Sequence, residues 1–131
     1  MYTIWVADDA REDIKEIYAF GYQTWGEAIA DAYHALIQQG FEDIIHNPVR
    51  PGSRRVSGRQ DNLFVYSLRF ANARAGQRIK QPRHHILYYI LEEEQTLLIA
   101  RVLRSSRQQA LDDISRSDVL TAYRDASEEE S

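Results

Sequence analysis

His85-Ile86-Leu87-Tyr88-Tyr89-Ile90 leads through Glu92-Glu93-Glu94 into Leu97-Leu98-Ile99-Ala100-Arg101-Val102-Leu103-Arg104, and this stretch decides the fold. Two apolar runs rich in β-branched and aromatic residues, joined by a short acidic turn, read as an antiparallel hairpin. Arg101 interrupts the second run. An arginine in an otherwise buried strand needs a counter-charge, a solvated face or a chemical task.

Working outward, Met1-Tyr2-Thr3-Ile4-Trp5-Val6 lacks the basic lead-in and length of a signal peptide and reads as a first strand. Asp8 and Asp9 then place acids where a helix begins. Ala10, Ile14, Ile17 and Tyr18 follow at helical spacing, with Asp13, Lys15 and Glu16 assigned to the other face and Gly21 ending the run. Thr24-Trp25-Gly26-Glu27 reads as a capping box opening a second helix, whose stripe runs Ile29, Tyr33, Leu36, Ile37, Phe41 and Ile44. So short a connection makes the two helices antiparallel. Asn47-Pro48 stops the second helix. Residues 47–61 form a basic connection, and Leu63 to Phe70 a second strand. Ala71 to Pro82 reads as an extended, mobile loop. Beyond the opening pair of strands, Arg107 to Tyr123 carries Ala110, Leu111 and Ile114 at helix-like intervals. That thin stripe suits a helix on the domain surface or on another chain.

The expected architecture is α+β, in the order β-α-α-β-β-β: a helical hairpin on one face of a small, mainly antiparallel sheet, with an extra C-terminal helix. Residues 1–123 make one domain and 124–131 a disordered acidic tail. At 131 residues, 44% apolar and 27% charged, the chain suits one soluble domain. With no cysteine, disulfides and thiolate metal sites are excluded and a reducing cytoplasm fits. No apolar run approaches the roughly 18 residues of a membrane span, so no membrane partner is expected.

The net charge of -4 is segregated. Residues 1–49 carry nine acids against Arg11 and Lys15, residues 50–83 nine bases against Asp61, and residues 84–131 ten acids against five arginines. A basic middle between acidic ends has two readings: a surface for an anionic partner, or a solvated segment paired internally with the acidic helices.

In order along the chain, Ala10-Arg11-Glu12-Asp13-Ile14, Ile17-Tyr18, Trp25-Gly26-Glu27-Ala28, Ala32-Tyr33, Phe41-Glu42-Asp43-Ile44, Asn47-Pro48, His85, Tyr88-Tyr89 and Ile99-Ala100-Arg101-Val102-Leu103 resemble the RelE/ParE toxin superfamily of type II toxin–antitoxin modules. The likeness covers about residues 2–110 and is closer to the ParE side. Arg104 stands where family members often carry a histidine.

The resemblance implies a cytoplasmic bacterial toxin of the plasmid-stabilisation kind, trapping DNA gyrase by protein–protein contact and needing no cofactor. A ParD-like antitoxin would neutralise it by laying a segment into a groove between helices and sheet. Trp25, Tyr33 and Phe41 are the expected apolar contacts, and Arg50, Arg54 and Arg55 would receive the antitoxin's acids. Arg101 and Arg104 are the expected target contacts, and a toxin dimer within the complex is a further possibility. The rival is a metal-independent, ribosome-dependent ribonuclease, which must activate a 2′-hydroxyl, stabilise a pentacovalent phosphate and protonate the leaving oxygen. Arg69, Arg83, His85, Tyr89, Arg101 and Arg104 would supply those groups. A non-toxic interaction protein on the same scaffold is the third reading. For each residue the plain structural role stands beside the functional one: Arg101 pairing with a helical acid, one of Tyr88 and Tyr89 facing the core, His85 as a bonded core histidine. No metal site is expected, since His84 and His85 as strand neighbours point to opposite faces.

Overall fold

The computed structural model describes residues 1–75, 79–105 and 108–129. It contains β1 (Thr3–Val6), α1 (Asp8–Trp25), α2 (Glu27–His46), β2 (Ser53–Arg55), β3 (Phe64–Ser67), α3 (Leu68–Asn72), β4 (His84–Leu91), β5 (Thr96–Arg104), α4 (Gln108–Asp112) and α5 (Arg116–Glu129). The strands form one sheet in the order β1-β5-β4-β3-β2. β1 pairs with β5 in parallel, and every other pairing is antiparallel. No helix among the described residues is long and apolar enough to cross a membrane.

The β4–β5 hairpin is the centre of the sheet, and its residues alternate between two cores. Ile86 and Tyr88 face α1 and α2 with Leu36, Ile37, Phe41 and Ile44. Leu87 and Tyr89 face the other way, with Leu63, Val65, Leu98 and Leu103. That outer face is covered by the C-terminal helices through Ile114, Leu111, Val119 and Tyr123. The domain therefore has three layers rather than two, and the thin stripe of the last helices packs on its own chain. The pairing shifts between Leu87↔Arg101 and Tyr88↔Ile99, leaving Ala100 as a bulged residue without an opposite number.

Several boundaries differ from those read in the sequence. α1 runs through Gly21, where an added Cβ would lie in ordinary contact, 3.6 Å from the Ala30 backbone, so the glycine neither ends the helix nor is required by the crossing of α1 and α2. The turn is made by Gly26 at φ 95°, a conformation that favours glycine. Thr24 therefore belongs to α1, and no side chain caps α2. The strand expected over 63–70 stops at Ser67, whose hydroxyl accepts from the Arg69 N–H (3.2 Å) and starts α3. α3 survives because Leu68 and Ala71 bury one turn against α2. Gly40 allows this, since a Cβ there would lie 2.8 Å from both Leu68 and Ile86 side-chain carbons.

The basic connection contains an unforeseen edge strand, β2. In the expected loop, Asn72 both donates to the Ile79 carbonyl (2.7 Å) and accepts from its N–H (2.9 Å); residues 76–78 lie outside the described residues. α5 continues to Glu129 through most of the stretch expected to be a disordered tail; Glu130 and Ser131 are outside the description.

Candidate functional site

Arg101 is occupied by the fold. β1 ends at Val6, so β5 runs on past Ile99 without a neighbour on that side. α1 closes the gap with Asp13, whose carboxylate accepts from Arg101 Nε (2.7 Å), Arg101 Nη2 (2.8 Å) and the Val102 backbone N–H (3.0 Å). Asp13 is buried, and this forked, charge-assisted contact satisfies both the strand edge and the arginine. Asp13 lies three residues after Ala10 and four before Ile17, on the same helical face. The spacing that marks the stripe therefore also places Asp13 on it, and not on the other side.

A second buried carboxylate, Asp43 of α2, accepts from Tyr66 Oη (2.7 Å), Gln39 Nε2 (2.9 Å) and Arg74 Nε (3.0 Å). Arg50 lies beside it at 3.8 Å and over the Tyr66 ring. The Tyr66 hydroxyl is pushed well above its ordinary pKa, first by burial and then by Asp43. Arg50, expected as a receptor for antitoxin acids, is thereby committed to a carboxylate of its own chain.

Of the remaining antitoxin candidates, Phe41 is core and is corrected to a packing residue, because its ring is enclosed between α2 and the sheet. Tyr33 is half-buried, with its hydroxyl 2.5 Å from His84 Nδ1. Burial and then Arg104 push the His84 pKa down to about 4, so the ring that shares this hydrogen bond with the tyrosine is neutral. Trp25 is exposed at the closed end of the hairpin. Arg54 and Arg55 are exposed on edge strand β2, with Arg55 over the Phe64 ring. The length of α2, roughly 30 Å at 1.5 Å per residue, separates Trp25 from Arg50, so the six do not form one surface.

Tyr89, a candidate for acid–base work, lies in the outer core. Its hydroxyl donates to Asp61 (2.7 Å), which is itself clasped by Arg59 Nε (3.0 Å) and Nη2 (2.6 Å). Arg59 also donates to the Leu111 (2.8 Å) and Ile114 (2.6 Å) carbonyls, tying the C-terminal helices to the sheet. Arg59 holds the Asp61 carboxyl down at about 2, and burial followed by Asp61 raises the tyrosine. A tyrosine so buried and bonded is structural, which corrects its catalytic candidacy. Tyr88 donates to the Pro48 carbonyl (2.6 Å) on the opposite face.

His85 and Arg104 border one concavity, although Arg104 pairs in the sheet with His84 and its charge acts on His84 and Tyr33. With Arg54 they rim this hollow of about 270 Å³ on the outer face, floored by Val65, Leu87 and Leu103 and walled by Leu111 of α4. Burial, then Arg54 and Arg69, push the His85 imidazole below its ordinary pKa, so it is neutral at physiological pH. Neither Arg54 nor Arg104 forms an ion pair among the described residues. Arg69 and Arg83 are exposed, Arg69 over the Phe70 ring and Arg83 bonded to Gln81. Arg54, without an ion pair among the described residues, and a neutral imidazole over an apolar floor suit an anion with an apolar body. Arg54 entered this site only because β2 forms, which no periodicity in a three-residue strand signals. Among the described residues no cluster of three or more His, Asp or Glu side chains is placed to hold a metal ion.

The fold is similar to that of a metal-bound toxin from Helicobacter pylori, with TM-score 0.56 and 17% identity over 82% of this chain and 99% of that one. It is also similar to the isolated RelE toxin of E. coli, with TM-score 0.50 and 11% identity over 86% of this chain and 94% of that one. No curated protein matches the sequence. The family of ParE toxins of the type II toxin–antitoxin system parDE matches residues 4–109, a span from within β1 through β5 that includes the helical hairpin and the concavity's rim, and the chain belongs to that family.

Proposed function

We propose that this protein is the toxin of a ParDE-type module, acting in a bacterial cytoplasm by protein–protein contact with DNA gyrase and held inactive by a ParD-like antitoxin. The observation that carries this reading is the family match over residues 4–109. The dispersal of the catalytic candidates supports it. Arg101 is saturated by Asp13 and Tyr89 by Asp61 and Arg59, on opposite sides of the sheet. A mechanism built on contact needs none of them to converge. Purified toxin added to gyrase, DNA and ATP is the direct test: loss of supercoiling with accumulation of cleaved DNA is expected, and release by a ParD-like protein. Unimpaired supercoiling with intact toxin defeats the proposal.

One observation favours a metal-independent endoribonuclease as the second reading: Arg54, His85 and Arg104 share the outer concavity. There the arginines would hold the scissile phosphate while neutral His85 takes the 2′-hydroxyl proton. Induction of the chain alone separates the two readings. Growth arrest with a DNA-damage response supports gyrase poisoning. Rapid loss of translation with cut messages, abolished by His85→Ala with Arg104→Ala, supports the ribonuclease.

A further inference from the structure

We propose that the closed end of the α1–α2 hairpin is a docking surface for a partner segment carrying arginine beside apolar side chains. Phe20, Tyr22, Trp25 and Ile29 are 56%, 50%, 61% and 41% exposed, within ten residues of one another. The only other exposed large apolar side chains among the described residues are Met1, Val49 and Phe70. Phe20 and Trp25 meet edge to face, ring centroids 5.5 Å apart, Tyr22 lies beside Tyr18 at 6.3 Å, and a Cβ added at Gly26 would meet nothing within 4 Å. The fold does not need these rings: the hairpin anchors to the sheet through Leu36, Ile37, Phe41 and Ile44. Exposed aromatics clustered in this way mark contact surfaces.

Charge specifies the partner. From Glu16 to Val49 the chain has no lysine or arginine, while Glu16, Glu27 and Asp31 are exposed. Elsewhere the protein covers its own rings with cations: among the described residues five arginines lie over tyrosine or phenylalanine rings, from Arg50 over Tyr66 to Arg124 over Tyr123. Among the described residues none lies over Phe20, Tyr22 or Trp25. Ring faces and carboxylates both attract a guanidinium, so the occupant is basic, the opposite sign to an acidic segment suited to Arg54 and Arg55.

The test uses the full-length chain and three synthetic peptides of about four helical turns. One alternates arginine with a leucine stripe, one replaces its arginines by glutamate, and one replaces its leucines by alanine. Anisotropy titration is expected to show binding of the arginine–leucine peptide alone. Phe20→Ser with Trp25→Ser should weaken it about tenfold or more. Glu12→Gln, an exposed acid paired with Lys15, should leave it unchanged. Both positions are exposed, and circular dichroism checks that the variants fold. Equal binding by the doubly substituted chain overturns the proposal, as does equal binding of the leucine-free peptide. Sedimentation showing a dimer that Trp25→Ser dissolves also overturns it, because a second copy would then be the occupant.

Discussion

The two faces of the sheet treat charge in opposite ways. On the helical side, Asp13 and Asp43 are buried and saturated, each answered by an arginine and by further donors. On the outer face, Arg54 lines a hollow beside His85, and neither it nor Arg104 has an ion-pair partner among the described residues. Burying an unpaired ion costs several kcal/mol, so a buried charge within the fold must be paired. A cation left at a concave rim has no such obligation and remains available to a ligand or partner. Charges that hold the fold are therefore separable from those free to act, and Arg101 and Arg104, three residues apart on one strand, fall on different sides of that division.

The largest effect that can break this comparison is at Asp13. Asp13→Asn leaves Arg101 without its counter-charge, and about 3 kcal/mol of stability should be lost. Urea denaturation reads this directly, and Arg104→Ala should change stability little by the same measurement. Equal losses would erase the distinction.

A middle-sized effect concerns how the outer face is closed. Arg59→Met removes donors from the Leu111 and Ile114 carbonyls and should cost about 1–2 kcal/mol. The loss should be local: amides in residues 108–129 exchange faster while those of α2 do not. Acid should act through the same clasp. The folded carboxyl of Asp61 is held at about 2, below the ordinary 3.8, so its contribution is present above pH 3.8 and fades as pH falls towards 2. Uniform acceleration across both layers would mean that the C-terminal helices are not a separately anchored unit.

The smallest effect sharpens the outer hollow. Arg54 and Arg69 add to burial in depressing the His85 pKa, so a bound anion should offset them and raise it. An NMR titration in inorganic phosphate, against chloride at equal ionic strength, should move His85 upward and leave His84 near 4. An unmoved His85 shows that the hollow does not hold phosphate.

Much of this was legible in the chain. The alternation in β4 and β5, the paired helices and the ordered set of family residues gave the α+β class and the family, because both cores are drawn from period-2 and period-3.6 patterns. The site was legible only in pieces. His85 and Arg104 stand out as polar residues in an apolar hairpin, but Arg54 reaches them through a three-residue edge strand with no periodic signature. Asp13 and Asp43 were hidden by the rule that acids face water, which fails where a second element supplies the counter-charge.

Sequence alone determined which residues alternate, which helices pair and how charge is distributed along the chain, since these depend on neighbours a few residues away. Tertiary structure decided which charges are spent. Asp13 meets Arg101 across 88 residues, and Arg59 meets Ile114 across 55. The short reach of hydrogen bonds and ion pairs makes such partnerships a matter of folded distance, and the residues left without one can be named only after the chain has closed on itself.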